Sequence, residues 1–384
     1  MGNRGSLFLV SLVLCLAPAV LRGAEPRRAS QEQLRRWLQQ YPQADANRDG
    51  VLTVEEAQAY RRKIQQERPA GGKPAPPPFR HQFAMATMSD GVRIALAVGF
   101  PPGCDAEGGG RKWPAVFTTC GYTSMTVPRN PNDLGGRYVT VNASVRGTGA
   151  SGGALCPWEP RSWQDGYEII ENWIVQQPWS NGRVGIQGHS WSGLMGFLTA
   201  TTAPPSLKAV CVSGLIDDSY RGVCWIGGVR NCGFPVSWLN NYYRTDGPFG
   251  SDEAAQAARG LDPAAFAAIL RGRPARDLSR DMLWQLLHQP LDGPSWRAQS
   301  PATHASRMRA PILIGHTWQD EQTGGYFANM LDDFTGTDDA WFTVTNGGHT
   351  DALGPLVFDR WIQFLQIYVA RDVPKRPAAA AIVA

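Results

Sequence analysis

The stretch GIQGHSWSGLMG, residues 185–196, has the form of a nucleophile elbow with one irregularity. The usual pattern is G-x-S-x-G, in which a serine lies on a sharp turn between a strand and a helix. Gly188 and Ser190 fit this pattern, but the fifth position is Ser192 and the glycine follows one residue later, at Gly193. The turn needs small residues on both sides of the serine, and Ser192 is small. We therefore predict that Ser190 is a nucleophile, against the alternative that it only caps the following helix.

Short apolar strands alternate with helices on both sides of this motif. The predicted strands are Val92–Phe100, Pro114–Thr119, Arg137–Val145, Arg183–Gly188, Leu207–Gly214, Pro311–His316 and Trp341–Asn346. The predicted helices are Asp165–Gln177, Ser192–Ala203, Tyr326–Phe334 and Leu356–Ala370. This alternation predicts an α/β fold with a doubly wound, mostly parallel sheet that helices cover on both faces. Residues 217–301 lack a strand pattern, and we predict an inserted helical cap there.

A catalytic serine needs a base, and the base needs an acid that orients it. In serine hydrolases with such sheets the acid and then the histidine follow the serine along the chain, each in a loop after a strand. Asp320 follows the strand in PILIGHTWQD, and His349 follows the next strand in WFTVTNGGH. Of the six histidines, only His349 fits both the order and the position. Glu321 and Asp351 stay open as alternatives for the acid.

A second glycine-rich segment, RGTGASGG, has the dinucleotide-binding spacing at Gly147, Gly149 and Gly152. That function requires a helix that begins in the glycine loop. Pro157 and Pro160 follow the loop and block a helix there, so we reject a dinucleotide site.

The first 24 residues predict a signal peptide. Arg4 precedes the apolar run 7–20, and small residues follow at 17–19 and 23–24. The run is short for a membrane span, so we expect a secreted or periplasmic protein without membrane association after the signal is removed. Six of the seven cysteines would remain, as disulfides or as buried thiols. The net charge of +4, without a strong basic cluster, argues against nucleic acid as a partner.

Residues 30–67 predict a helix-loop-helix module that binds calcium. The loop DANRDGVLTVEE places side-chain oxygens at positions 1, 3 and 5, a backbone carbonyl at position 7 and a carboxylate at position 12. This is the EF-hand spacing, and it predicts that the loop binds Ca²⁺. The predicted ligands are Asp45, Asn47, Asp49, the carbonyl of Val51, and Glu56.

The rest of the chain divides by composition. A Pro/Gly-rich linker at 68–79 separates the calcium module from a hydrolase domain at 80–372, and residues 373–384 form a tail. We expect no cofactor in the catalytic reaction.

Several motifs together resemble the X-prolyl dipeptidyl-peptidase/cocaine esterase family of α/β-hydrolases. They include DGVRIA, VRGTGASGG and, most specifically, QPWSNGRVGIQGHSWSG, and the resemblance covers about residues 83–370. The elbow of this family carries its second glycine one position late, as this sequence does. A single EF-hand is not typical of the family, which also usually continues into a C-terminal β-sandwich.

The resemblance implies a set of catalytic residues. Ser190, Asp320 and His349 would be the nucleophile, the orienting acid and the base. The oxyanion hole would combine the backbone N–H of Trp191 with the hydroxyl of Tyr122, although Gly121 stands where the family has a proline.

We therefore predict an exported serine hydrolase that cleaves ester or amide bonds, X-Pro dipeptidyl bonds among them, through an acyl-enzyme. Its substrate would be a small ester or a short peptide, and the sequence does not predict the oligomeric state. Trp225, Phe234 and Trp238 are candidates for the acyl pocket, against the favoured alternative that they pack in the core. A dipeptidase would need a carboxylate such as Asp217 or Asp218. The alternative is a calcium-dependent binding protein with an inactive hydrolase domain.

Overall fold

The structure is a computed structural model. It describes residues 34–35, 37–38, 41–57, 59–60, 79–122, 128–156, 158–241 and 282–373. The predicted signal peptide, nearly all of the linker, most of the tail and residues 242–281 of the predicted cap lie outside these residues. Contacts divide the chain into two compact units, Met1–Pro77 and Pro78–Ala384, which are described separately below.

Eight strands in the described part of the second unit form one sheet. They are β1 (His81–Thr87), β2 (Arg93–Gly99), β3 (Trp113–Cys120), β4 (Val139–Ser144), β5 (Ser180–His189), β6 (Leu207–Ser213), β7 (Ile312–Thr317) and β8 (Ala340–Thr345). Their order is β1-β2-β4-β3-β5-β6-β7-β8. The β1–β2 and β2–β4 pairs are antiparallel, and the remaining pairs are parallel. The predicted mostly parallel sheet and all seven predicted strands are confirmed.

Strand β1 is absent from the prediction. It lies at the edge of the sheet and pairs only with β2. Most of its residues are partly exposed, so HQFAMAT shows neither a continuous apolar run nor a clear alternation.

The described α-helices lie between the strands and in the cap region. They are α1 (Pro160–Glu168), α2 (Trp191–Ala200), α3 (Phe234–Asn241), α4 (Met282–His288), α5 (Pro294–Ala298) and α6 (Pro355–Leu365). Shorter 3₁₀ and π segments include Ile169–Ile174, Ser219–Cys224, Pro301–Arg307, Gly325–Asp333, His349–Leu353 and Gln366–Ala370. Helix α1 corrects one expectation, because Pro160 begins this helix instead of blocking it. Proline suits the first helical position, where its missing N–H has no intrahelical partner.

Helices pack on both faces of the sheet. On one face, α2 packs on β3, β5 and β6, and α1 packs on α2, with Ile186 and Phe197 fully buried. On the other face, Trp361 and Leu365 of α6 pack with Cys211 of β6. The six described cysteines form no disulfide with one another, and five of them are buried.

The glycine-rich segment after β4 begins with Arg146, which lies at the centre of an ion-pair cluster. Arg146 is buried and pairs with Asp165 at 2.6 Å and with Asp90 at 3.0 Å. Arg161 joins the cluster through Asp90, Asp165 and Glu168. Asp165 lies where a dinucleotide site would carry its ribose-binding carboxylate, and in this structure it pairs with Arg146 and Arg161.

The first unit has a small core of its own. Leu34, Ala44, Leu52 and Ala57 are buried together, with other apolar side chains packed around them. Throughout the part of the chain that the structure describes, no helix is both long enough and apolar enough to cross a membrane.

Candidate active site

Ser190 occupies the turn between β5 and α2. Its φ of 58° and ψ of −126° place a non-glycine residue in a strained backbone conformation, as a nucleophile elbow requires. The turn is anchored to the neighbouring strand, because Ser190 N–H donates to the carbonyl of Ser213, the last residue of β6, at 2.8 Å. Leu194 N–H in turn donates to the carbonyl of Ser190 at 2.8 Å.

The structure explains why the second glycine comes late. A Cβ at Gly188 would lie 2.3 Å from the carbonyl oxygen of Ser192, and a Cβ at Gly193 would lie 2.6 Å from the carbonyl oxygen of Ser213. Both glycines are therefore needed for the close approach of backbone segments. Ser192 is buried, and its hydroxyl donates to the carbonyl of His189 at 2.8 Å and accepts from the N–H of His189 at 3.0 Å. Ser192 thus closes the turn with its side chain.

His349 and Asp320 meet at the carboxyl end of the sheet. The Nδ1 atom of His349 lies 2.6 Å from Oδ2 of Asp320, and both residues are buried. Burial raises the pKa of Asp320, but hydrogen bonds from His349 and Thr323 outweigh it and hold that pKa well below its usual range. The carboxylate is therefore charged at neutral pH. Among the described residues, Nε2 of His349 has no hydrogen-bond partner, and this is the nitrogen that a serine would need.

The two alternative acids hold the backbone of the histidine loop. Oε2 of Glu321 accepts from the N–H of His349 at 2.9 Å, and Oδ2 of Asp351 accepts from the N–H of Gly348 at 2.8 Å. Of the three carboxylates, Asp320 is the one that contacts the imidazole.

Sequence reasoning missed a second imidazole, that of His189. Its ring centroid lies 4.6 Å from that of His349, and its Nδ1 lies 2.8 Å from Oγ of Ser213. Burial and the neighbouring His349 lower the pKa of His189 to about 3, so this ring is neutral at ordinary pH. A Cβ at Gly214 would lie 2.9 Å from the Cε1 atoms of both rings. The position of His189 could have been noticed in the sequence, because it directly precedes Ser190 at the end of β5. That end of the strand lies beside His349.

The two residues that carry the predicted oxyanion donors pack against each other. Trp191 is the first residue of α2, and Tyr122 follows β3 by two residues. Their rings pack edge to face with centroids 5.1 Å apart. The indole N–H of Trp238 donates to the hydroxyl of Tyr122 at 2.8 Å. The structure thus packs the Tyr122 ring against the first residue of the helix that follows Ser190.

A pocket opens beside Ser190. Its described lining is almost entirely apolar, and it consists of Trp158, Ser190, Trp191, Leu194, Gly214, Ile216, Val223, Phe234, Trp238 and Thr323. None of these residues carries a charge. Of the predicted pocket residues, Phe234 and Trp238 line this pocket, whereas Trp225 instead stacks on Tyr220.

The two cap carboxylates have structural contacts elsewhere. Asp217 is buried and accepts from the side-chain amide of Asn329 at 2.9 Å, and burial raises its pKa. Asp218 accepts from the backbone N–H groups of Tyr220 and Arg221 and caps that helical turn. Neither residue is among those that line the pocket.

In the first unit, the predicted calcium loop is held by its own side chains. Asp45 accepts from the N–H groups of Asp49 and Gly50 at 3.3 and 2.9 Å. Glu56 accepts from the N–H groups of Asn47 and Thr53 at 3.4 and 3.1 Å. Within the described residues, no three His, Cys, Asp or Glu side chains converge as a group that could hold a metal. Calcium binding therefore stays a prediction.

Comparisons with known proteins point to one family of hydrolases. The family model for X-Pro dipeptidyl-peptidase (S15 family) matches residues 90–351. A protein of Mycobacterium bovis that is assigned as a serine esterase is 30% identical over 182 residues, 42% of this chain and 28% of that protein. The cocaine esterase of a Rhodococcus species is 26% identical over 260 residues, 62% of this chain and 44% of that protein.

A solved structure agrees on the fold. The CocE/NonD family hydrolase from Staphylococcus aureus superposes with a TM-score of 0.59 at 20% identity, over 77% of this chain and 51% of that one. The chain spans about half or less of the length of these three relatives. The architecture is that of an α/β-hydrolase, and the matched segment contains the elbow, Asp320 and His349. The chain belongs to the X-Pro dipeptidyl-peptidase (S15) family, which its motifs resemble.

Proposed function

We propose that this chain is an exported serine hydrolase that cleaves ester or amide bonds through an acyl-enzyme intermediate. The observation that supports the proposal best is the 2.6 Å contact between Asp320 and His349 beside the strained turn at Ser190. Membership of a hydrolase family supports the same reaction.

In the proposed reaction, Oγ of Ser190 attacks the substrate carbonyl while Nε2 of His349 takes the hydroxyl proton. Asp320 holds the tautomer with a proton on Nδ1 and stabilises the imidazolium that forms. The oxyanion accepts hydrogen bonds from Trp191 N–H and from the Tyr122 hydroxyl. When the carbonyl reforms, the leaving group departs with the proton from His349. Water then attacks the acyl-enzyme by the same steps, and this releases the acid and restores Ser190.

The pocket favours esters with an apolar acyl group over X-Pro dipeptides. A dipeptide carries a cationic amino terminus, which requires a carboxylate or another acceptor. The described lining has no charged side chain, and Asp217 and Asp218 are engaged elsewhere. We expect p-nitrophenyl esters of apolar acids to be cleaved with a higher kcat/KM than Gly-Pro anilides, and the reverse order would contradict this assignment.

Labelling with a fluorophosphonate probe tests the nucleophile. We expect covalent labelling of the wild type and of Ser192→Ala, and none of Ser190→Ala. Ser192→Ala is the matched control because it removes a hydroxyl from the same turn. An unlabelled wild type would argue against the hydrolase and for the alternative of a binding protein.

We also propose that the loop 45–56 binds Ca²⁺ through Asp45, Asn47, Asp49, the Val51 carbonyl and Glu56. These oxygens are the hard donors that calcium prefers, and Glu56 already reaches back across the loop to Asn47. Calorimetric titration should show heat with the wild type and none with Asp45→Ala. Equal titrations of both proteins would contradict calcium binding at this loop.

Export is proposed from residues 1–24 alone. Expression of the full chain should yield a secreted or periplasmic protein whose amino terminus, read by mass spectrometry, begins near residue 25. A product that keeps Met1 and stays inside the cell would contradict it.

A further inference from the structure

Trp238, on cap helix α3, makes a hydrogen bond whose direction is determined by chemistry. Its indole Nε1 lies 2.8 Å from the hydroxyl oxygen of Tyr122. An indole nitrogen can only donate, so the hydroxyl oxygen must be the acceptor. The one proton of the Tyr122 hydroxyl is therefore directed away from the indole and toward another acceptor.

Trp238 is itself held by aromatic rings that also form the pocket wall. It stacks on Trp158 with centroids 5.9 Å apart and an interplanar angle of 19°. It packs edge to face against Trp191 at 5.3 Å. Trp191 supplies the other proposed oxyanion donor, so one indole contacts both residues of the proposed oxyanion hole. Packing on several sides restricts the rotamer of Trp238 and therefore the position of its N–H.

We propose that Trp238 is a positioning residue for the oxyanion hole. Its N–H occupies one side of the Tyr122 hydroxyl oxygen and so limits the directions in which that hydroxyl can donate, which the role requires to include the substrate oxygen that becomes negative. A hydroxyl that accepts a hydrogen bond is also polarised into a better donor. The inference rests on the proposed function, because it assigns Tyr122 to the oxyanion. It adds that a cap residue which lines the acyl pocket also controls a donor of the reaction.

A double-mutant cycle tests this role. The kcat and KM for a p-nitrophenyl ester are measured for the wild type, Trp238→Phe, Tyr122→Phe and the double variant. We expect Tyr122→Phe to lower kcat by ~10²–10³. We expect Trp238→Phe to lower kcat by about tenfold when Tyr122 is present and by less than about twofold in the Tyr122→Phe background. Such non-additivity distinguishes orientation of the hydroxyl from general support of the pocket.

Trp225→Phe is the matched control, since it makes the same substitution at a cap tryptophan that stacks on Tyr220. We expect it to change kcat by less than about twofold. If Trp238→Phe fails to fold, 3-benzothienylalanine at position 238 keeps the ring shape and removes only the N–H. An equal loss of kcat in both Tyr122 backgrounds, or an effect confined to KM, would overturn the role of Trp238. A wild type that is inactive and unlabelled at Ser190 would instead overturn the proposed function itself.

Discussion

At the scale of single residues, the neighbouring carboxylates of Asp320 and Glu321 bind different parts of His349. Asp320 contacts the ring of His349, whereas Glu321, its neighbour in the chain, holds the backbone N–H of the same histidine. Sequence order alone left both residues open as the acid. Which of them turns toward the ring depends on the loop conformation after β7, and neither residue type nor spacing specifies this conformation.

We predict that Asp320→Asn lowers kcat by about 10⁴, because an amide would favour the wrong tautomer of His349. Glu321→Gln keeps an oxygen acceptor for the backbone N–H, so we expect it to lower kcat by less than about tenfold. Steady-state hydrolysis of a p-nitrophenyl ester measures both. A larger loss of kcat in Glu321→Gln than in Asp320→Asn would contradict this assignment and favour Glu321 as the acid.

The neutral ring of His189 should make stability depend on pH. Its pKa is about 3 in the folded chain and 6.5 in the reference state, so the unfolded chain binds more protons between these values. The contribution of His189 to the free energy of unfolding is fully present above pH 6.5 and is lost as the pH falls toward 3. Urea unfolding between about pH 6 and about pH 5 should therefore show a steeper loss for the wild type than for His189→Asn. The difference should be up to about 1.4 kcal/mol per pH unit. Equal slopes would contradict the assignment.

At the scale of elements, the elbow has no room for an added methyl group at its second glycine. A Cβ at Gly193 would meet the carbonyl oxygens of Ser213 and Gly188, which belong to the backbone and cannot rotate away. We predict that Gly193→Ala lowers the free energy of unfolding by about 2–4 kcal/mol. Gly110→Ala is the control, because nothing lies within 4 Å of a Cβ there, and its effect should stay within about 0.5 kcal/mol. Urea unfolding measures both, and equal effects would contradict the steric argument.

Elements with a continuous apolar pattern were predictable from the sequence, whereas the strand at the edge of the sheet and one short helical segment were not. Buried strands such as β5 and β6 carry their own signal, since both faces are covered by helices. Edge strand β1 lacks that signal because only one neighbour pairs with it. The predicted helix 326–334 is a 3₁₀ segment, Gly325–Asp333, because tertiary packing determines how tightly so short an element winds.

At the scale of the whole molecule, the Arg146 cluster joins segments that are far apart in the sequence. It connects the turn after β1, the loop after β4 and helix α1 through Asp90, Asp165 and Glu168. No sequence pattern predicts this cluster, because its residues come together only when the sheet has formed. The same holds for the hydrogen bond between Trp238 and Tyr122, which links the cap to the strand edge.

We predict that Arg146→Met lowers the free energy of unfolding by about 3–5 kcal/mol, because it leaves the buried carboxylate of Asp165 with less compensation. Arg221→Met removes an exposed arginine that pairs with Asp218 and Asp292, and we expect a loss of at most about 1 kcal/mol. Chemical denaturation compares the two variants. A small effect at Arg146 would mean that Arg161 alone neutralises Asp165.

The position of Gly214 between two imidazoles has a consequence for anyone who redesigns this chain. A methyl group there would fall 2.9 Å from the Cε1 atoms of both His189 and His349. Gly214→Ala would thus push the base out of alignment while every group that handles a proton stays chemically intact. Gly214 also has a φ of 64°, a conformation that strains an alanine, so the variant should lose stability as well as activity. A mutational screen restricted to polar side chains would therefore miss Gly214, although the proposed reaction depends on the space that this glycine leaves for His349.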